Sequence, residues 1–494
     1  MIAGLLWKNR NAQWTSRKDS ILEDRFRDLN LGPIVKAMGS GNSYISEICL
    51  KVLNSPLQTR EEILYRQEIM KDCIRDPQTI ETVYRLCEEA EEKRKNTWCR
   101  LTSPHLTTVY SSAEDLLKIY MEALSAIRKT LEAREFHSQG LQQLSALLTE
   151  ALSDGYLETL RELQSAIQSR NGMEISAGFG PYLQGVSYIK RQPDKKAGRI
   201  RWLFQPSYTL GERDMKGAKD LEIREDRAIN EVANVMAHAA ESLQSLVDQL
   251  RAELSFYMGG VHLWRKLEGC RLCFPELADG NARMYTGLYD GTLVLAENKL
   301  AVPNTVESGD QRLWLITGAN QGGKTTFLRS IGICQLMTQC GLFVFAEKCR
   351  IPVKKQIFTH FGREEDRSLN SGKLDEELIR MSKIVDQIGP GAMLLSNESF
   401  SSTNDRDGSE ILLGIVRGFL KCEIEVFAVT HLMDFAETIA QRQDVLSLRP
   451  ERRSTGARTY NLREAKPHPE AFAEDIYRVI FETDSPAANQ AASV

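Results

Sequence analysis

The sequence predicts a multidomain chain: an α-helical core, long helices carrying a small β-rich insertion, and then an α/β domain built on a phosphate-binding loop. Three observations predict it. Apolar residues recur at helical intervals over 112–169 and again over 226–254, each stretch far longer than a compact domain needs at about 1.5 Å per residue. Between them the composition turns to Gly, Pro, Tyr and alternating residues. After about Glu268, short apolar runs alternate with helical patterns, which is the signature of a mostly parallel sheet.

Bulk properties permit this plan. With 494 residues, and one domain per roughly 150 residues, about three domains are expected. A net charge of −4 supplies no global positive field, so any nucleic-acid contact must come from a local basic surface. The 42% hydrophobic and 26% charged residues are those of a globular chain. No run approaches the roughly 18 apolar residues of a membrane span, and Lys8 and Arg10 interrupt the opening Met1–Trp7 before a signal sequence can form. A cytoplasmic protein without membrane contact is expected. The ten cysteines read as reduced core thiols, because Cys270 and Cys273 lack a second pair to complete a zinc site.

The first hundred residues read as packed helices, with Thr59 capping a helix near Arg60 and Glu62 completing a capping box. Downstream, Leu117, Met121, Leu124 and Leu131, then Leu141, Leu144, Leu148, Leu152, Leu160 and Leu163, trace one apolar stripe, with a break expected at Asp154-Gly155. A second stripe, Val232, Val235, Met236, Leu243, Leu246, Leu250 and Leu254, is expected to return beside it, making a helical stalk. In the insertion, Val186-Ser187-Tyr188-Ile189-Lys190 alternates as a strand does. There Lys190, Arg191, Lys195, Lys196, Arg199 and Arg201 oppose a single acid, Asp194. That patch suits phosphates, with Tyr188 or Trp202 stacking on bases; a solvated hairpin with basic edges is the equally simple reading.

The most specific signal is Gly318-Ala319-Asn320-Gln321-Gly322-Gly323-Lys324-Thr325, preceded by the apolar strand Leu313-Trp314-Leu315-Ile316 and opening a helix at Thr326-Phe327-Leu328. Glycines let successive N–H groups face a nucleotide's phosphates, and the helix N-terminus adds its positive end. Gly318, Asn320, Gly322, Gly323, Lys324, Thr325 and Thr326 are therefore the candidate ATP contacts, with Lys324 on the β- and γ-phosphates and Thr325 on Mg²⁺. A second strand, Ala392 to Glu398, ends as a Walker B element does: Glu398 stands where a carboxylate orients or deprotonates water. Asn397 stands where an aspartate usually holds the magnesium shell, so it meets the metal through water and brings no charge. A third strand, Val426 to Thr430, ends at His431, placed to sense the γ-phosphate and report to the helix that follows.

Together these segments resemble the MutS family of DNA mismatch-repair ATPases. The loop continues as Thr326-Phe327-Leu328-Arg329, similar to the family's Gly-Pro-Asn-Met-Gly-Gly-Lys-Ser-Thr-Tyr-Met-Arg. Ser371-Gly372-Lys373 is similar to its Ser-Gly-Arg signature, Asn397-Glu398 is followed by Asp405-Arg406-Asp407-Gly408, and Val429-Thr430-His431 closes the series in the family's order. Upstream, Asp28-Leu29-Asn30-Leu31 and Leu53 to Met70 resemble its core domain. The resemblance implies a helical core at 1–110, lever helices at 111–171 and 226–267, and a DNA clamp-like insertion at 172–225. It further implies a P-loop ABC-type ATPase domain at 268–483 and a flexible tail at 484–494. It also implies ATP and Mg²⁺, DNA as partner, and a homodimer in which Ser371 and Gly372 of one subunit face the γ-phosphate bound by the other.

The departures shape the expectation. The core-like segment begins near Asp28, so no mismatch-reading or connector domain is expected, nor a nuclease module after the ATPase domain. Gln321 replaces a methionine, Leu374-Asp375-Glu376-Glu377 is more acidic than the family pattern, and Ala301-Val302-Pro303-Asn304 lacks its adenine-stacking aromatic. The leading expectation is an ATP-driven clamp that recognises DNA by shape. The alternative is a non-catalytic, nucleotide-gated dimeric scaffold for a protein partner; a DNA-independent ABC-type motor is a third.

Overall fold

Side chains that cap free N–H groups open the first helices. The computed structural model describes residues 4–8, 19–97, 101, 105–152, 155, 174–181, 185–191, 214–297, 299, 301–319, 322–363, 372–452 and 458–468. Asp19 caps α1 (Ser20–Asp28), α2 (Gly32–Gly39) begins with a proline in its first turn, and Asn42 caps α3 (Ser43–Leu53). At α4 (Arg60–Arg75) half of the expected capping box is present: the Thr59 hydroxyl accepts the Glu62 N–H at 3.4 Å, while the Glu62 carboxylate takes the Thr59 hydroxyl at 2.7 Å in place of its backbone N–H. Asp76 caps α5 (Pro77–Asn96).

The chain divides into two compact units, Met1–Lys8 with Arg75–Met258, and Asn9–Ile74 with Gly259–Val494. This division cuts across the helical core expected at 1–110, because α1 to α3 find their partners in the later unit.

In the first unit, α5 packs on α6 (Leu106–Glu132), and α6 on α7 (Gln139–Ala151). The stripe that α6 buries is Leu116, Tyr120, Leu124, Ile127 and Leu131; Leu117 and Met121 are half-buried beside it. The helix breaks at 133–138, earlier than Asp154-Gly155. Tertiary partners hold this turn: Arg134 pairs with Asp76 at 3.4 Å, Arg75 meets His137 at 2.7 Å, and Gln142 donates to the Phe136 carbonyl at 2.7 Å. Strands β1 (Glu174–Phe179) and β2 (Gly185–Arg191) form an antiparallel pair, so the alternating segment is a strand as expected. Lys190 and Arg191 end β2; Lys195, Lys196, Arg199 and Arg201 lie outside the described residues.

Helix α8 (Met215–Lys266) is 52 residues long and starts eleven residues before Asp226, where the second stripe was expected to begin. Val247, Leu250 and Leu254 are buried on it, whereas Val235 is 69% exposed and belongs to no core stripe. Among the described residues no helix is long and apolar enough to cross a membrane.

The second unit is built on two sheets. Its remaining elements are β3 (Glu276–Ala278), β4 (Arg283–Leu288), α9 (Gly291–Glu297), β5 (Asn304–Ser308), β6 (Leu313–Ile316), α10 (Lys324–Gln339), β7 (Lys348–Pro352) and β8 (Ile357–Phe361). They continue with α11 (Lys373–Val385), β9 (Met393–Asn397), α12 (Asp405–Lys421), β10 (Glu425–Val429), α13 (Met433–Ile439), β11 (Val445–Arg452) and β12 (Arg458–Glu464). The larger sheet has the order β12-β11-β6-β10-β9-β8, parallel except for the edge strand β12. The smaller has the order β3-β7-β4-β5.

Strands β6, β9 and β10 are buried at every position, as expected of parallel strands covered on both faces. On one face Leu313, Leu315, Leu394 and Val426 pack with Leu412, Val416 and Phe419 of α12 and with Met381 and Ile384 of α11. Helix α10 is buried along almost its whole length, and its buried Gln335 and Gln339 are satisfied by bonds to each other and to the Pro352, Leu57 and Lys354 carbonyls. At Gly332 a Cβ would stand 2.5 Å from both Leu29 and Leu395, so this glycine lets Leu29 of the Asp28-Leu29-Asn30-Leu31 segment reach the sheet. Arg283 of β4 reaches Glu425 of β10 at 2.7 Å, and Lys354 reaches the same carboxylate at 3.0 Å, all three buried. This trio ties the two sheets together.

Candidate nucleotide-binding site

Strand β6 aims the loop. Trp314 is fully buried between Tyr285 and Phe427, with ring centroids 6.2 and 5.1 Å away, so the strand cannot slide. From its end the chain turns through Gly318 at φ +120° and Gly323 at φ +86°, both conformations that favour glycine, and α10 begins at Lys324. Gly318 and Gly322 also rest on Pro450 of β11: a Cβ on either would stand 2.9 or 2.8 Å from its ring. The packing of the loop on β11 therefore demands glycine at these two positions. Asn320 and Gln321 lie outside the described residues.

Lys324 is 3% exposed, and its ammonium donates to the carbonyls of Gly318 and Ala319 at 2.6 and 2.9 Å. Burial pushes its pKa down, opposed by the charge of Glu398. The Thr325 hydroxyl donates to Asn397 Oδ1 at 2.9 Å, which places two uncharged oxygens side by side at the start of α10. Thr326 and Gly323 line an adjoining cavity of about 310 Å³ with Leu288, Leu293, Val302, Asn304, Phe327 and Tyr460.

Glu398 follows β9 and is fixed by its own N–H, which donates to the Val429 carbonyl at 2.8 Å. His431 Nε2 donates to Glu398 Oε1 at 2.8 Å. That bond, with the charges of His431 and Lys324, holds the Glu398 carboxyl below the usual carboxylate range against the opposing effect of burial. Three loops at the ends of adjacent parallel strands thus bring Lys324, Thr325, Asn397, Glu398 and His431 together, the place where ligands bind in open α/β sheets. Gly372 is the N-cap of α11, and Ser371 lies outside the described residues.

Two participants carry no signal in the linear sequence. Tyr460 of β12 stands beside the loop, 3.5 Å from where a Gly323 Cβ would be, and its backbone carbonyl accepts from Asn304 Nδ2 at 3.4 Å. Asn304 Oδ1 accepts the Leu462 N–H at 2.8 Å. An aromatic ring therefore lines the cavity beside Ala301-Val302-Pro303-Asn304, although that segment has none of its own. Pro450 is the second, visible only once β11 lies beside β6.

The donor set fits magnesium and a triphosphate: hard oxygens at Thr325 and Asn397, a buried ammonium, and an ionised carboxylate at hydrogen-bonding distance from an imidazole. Comparison with known proteins places the chain beside the MutS proteins. Residues 58–270 match the family model described as MutS2 N-terminal domain, and residues 314–468 match MutS domain V. The chain is 24% identical over 384 residues to the DNA mismatch repair protein MutS of Fervidobacterium nodosum, covering 74% of this chain and 45% of the relative. It is 24% identical over 346 residues to Endonuclease MutS2 of Streptococcus sanguinis, covering 67% and 41%. With the human MutS protein homolog 4 it shares 30% identity over 141 residues, 28% of this chain and 15% of that protein. The chain spans less than half the length of these relatives.

Proposed function

Because the chain belongs to the MutS family, we propose that it is an ATPase whose nucleotide cycle closes and opens a homodimeric clamp on DNA. The observation that carries the reading is the convergence of Lys324, Thr325, Asn397, Glu398 and His431 at the N-terminus of α10. Backbone N–H groups of the glycine loop and Lys324 bind the triphosphate, for which Lys324 exchanges its bonds to the Gly318 and Ala319 carbonyls. Thr325 and Asn397 hold magnesium, which supplies neutralisation of phosphate charge when bound.

Glu398, kept ionised by His431, orients the attacking water and takes its proton; His431 gains or loses its partner as that happens and passes the change to α13. Base stacking falls to Tyr460 in the adjoining cavity. In the dimer, Ser371 and Gly372 complete the partner's nucleotide site. The long helices α6 and α8 act as levers, and the β1–β2 region, with Lys190, Arg191, Lys195, Lys196, Arg199 and Arg201, grips the DNA backbone.

One feature favours a second reading. Asn397 keeps the contact to Thr325 but adds no charge, which suits a scaffold that binds ATP and does not hydrolyse it. Glu398→Gln separates the two. In the clamp it abolishes turnover and yields a long-lived ATP-bound dimer on DNA, read by ATPase assay and by gel shift across duplex, branched and mismatched substrates. In the scaffold it changes neither. ATPase rates that are equal with and without every DNA form would remove the clamp.

A further inference from the structure

The acidic run Leu374-Asp375-Glu376-Glu377 opens α11, and its three acids are not equivalent. Asp375 is exposed and Glu376 half-exposed in the first turn of α11, whereas Glu377 is 2% exposed. The Glu377 carboxylate accepts the N–H of Phe400 at 2.6 Å. Its backbone carbonyl accepts from His360 Nε2 at 3.1 Å. A carbonyl only accepts, so Nε2 carries a ring proton, and Nδ1 lies 2.7 Å from the Ser399 hydroxyl, which donates to the His360 carbonyl at 3.0 Å. One bond therefore runs from Glu377 of α11 directly into the turn that follows Glu398, and a second reaches it through His360 of β8, whose ring meets Ser399.

That turn needs holding. Glu398 and Phe400 have φ of +52° and +61°, left-handed values that side chains other than glycine rarely adopt. The Phe400 ring is fully buried and stacks on His360 with centroids 5.5 Å apart. Its carbonyl lies against Gly408 of α12, where a Cβ would stand 2.5 Å away. Ring and carbonyl are thus fixed by the core, and the N–H by the Glu377 carboxylate.

We propose that Glu377 is a positioning residue for Glu398: by holding the Phe400 N–H it fixes the left-handed turn that aims the catalytic carboxylate, and it makes that aim depend on the position of α11. The proposal rests on the ATPase reading above, since it requires Glu398 to act on nucleotide. Helix α11 begins directly after Ser371 and Gly372, so whatever docks on that end is two contacts from the reacting carboxylate.

The test compares the full-length chain with Glu377→Ala and Glu377→Gln, measuring ATP affinity, kcat and urea stability for each. Glutamine keeps an oxygen that accepts the Phe400 N–H; alanine does not. Expected are a fall in kcat of about 100-fold for alanine, the scale of a roughly 1 Å misplacement, with unchanged ATP affinity and recovery of most of the rate by glutamine. If alanine fails to fold, Gly408→Ala disturbs the same turn from its carbonyl side and should show the same loss of kcat at unchanged ATP affinity. Wild-type kcat in the alanine variant overturns the proposal. So does a parallel loss of affinity, stability and kcat without rescue by glutamine, which is what a purely structural role gives. A wild-type chain that does not turn ATP over overturns the ATPase reading beneath the proposal, whereas turnover in the wild type that Glu377→Ala leaves unchanged overturns the positioning role alone.

Discussion

Acid should weaken this fold through His360, by an amount the structure fixes. The ring is fully buried, and burial, then the charges of Arg380 and Arg363, lower its pKa from 6.5 to about 4. An unfolded chain takes up this proton near pH 6.5, while the folded chain resists it until about pH 4. The stabilisation is therefore fully present above pH 6.5 and is lost as pH falls toward 4. Between pH 7 and pH 5 the loss is about 2 kcal/mol at 1.36 kcal/mol per pH unit. Other buried groups also link stability to pH. Burial raises the Asp28 and Glu377 carboxyls, so they protonate early in the folded chain and act in the opposite direction, while Glu398, lowered by His431, acts in the same direction as His360. The measurement must isolate one ring. Urea denaturation of the wild type and of His360→Asn at pH 7 and pH 5 does so, because the carboxyl contributions are common to both. The wild type should lose about 2 kcal/mol more than the variant on acidification. Equal losses would show that the ring is not held neutral, and the proton assignment in the His360–Ser399–Glu377 network would fail with it.

Three further outcomes follow from particular contacts. Glu425→Gln leaves Arg283 and Lys354 buried without a counter-charge and should cost roughly 3–5 kcal/mol in urea denaturation, whereas an exposed pair such as Arg406–Glu410 should cost under about 1 kcal/mol when broken. Tyr460→Ala removes the aromatic wall of the cavity beside Gly323 and should raise the KM for ATP about tenfold at unchanged kcat, within the range of base–aromatic stacking. Asn397→Asp adds a charge where an amide oxygen now accepts from Thr325; since a charge-assisted bond exceeds a neutral one by about 1 kcal/mol, half-maximal activity should need roughly fivefold less magnesium.

The legible parts of the sequence are those in which one local constraint decides. The run Leu313 to Ile316 reads as a central strand because all four residues are buried, and the loop after it reads as a phosphate cradle because Gly318 and Gly323 sit at positions needing φ above zero. Thr59 and Glu62 read as a cap because the bond is three residues long. The break between α6 and α7 goes unannounced in the sequence for the opposite reason. Ala133 to Ser138 contains neither glycine nor proline, and it turns because Asp76 and Arg75, far upstream, supply partners for Arg134 and His137. The same reason hides Tyr460, whose place beside the loop exists only after β11 and β12 have paired at the sheet edge.

Asn397 shows why the two kinds of information need each other. In the sequence it is a lost charge, and that alone argues for a weak or idle site. In the fold its oxygen still takes the Thr325 hydroxyl at 2.9 Å, while the next residue, Glu398, is held by His431 at 2.8 Å and below the normal carboxylate range. The substitution therefore removes charge without removing geometry, and the bond that holds Glu398 does not depend on it. A site that had stopped hydrolysing would be under no pressure to hold Glu398 in a left-handed turn braced by Glu377, His360 and Gly408. Strain kept at that position argues for turnover, and it makes Glu398→Gln, more than any change at Asn397, the substitution on which the catalytic reading stands.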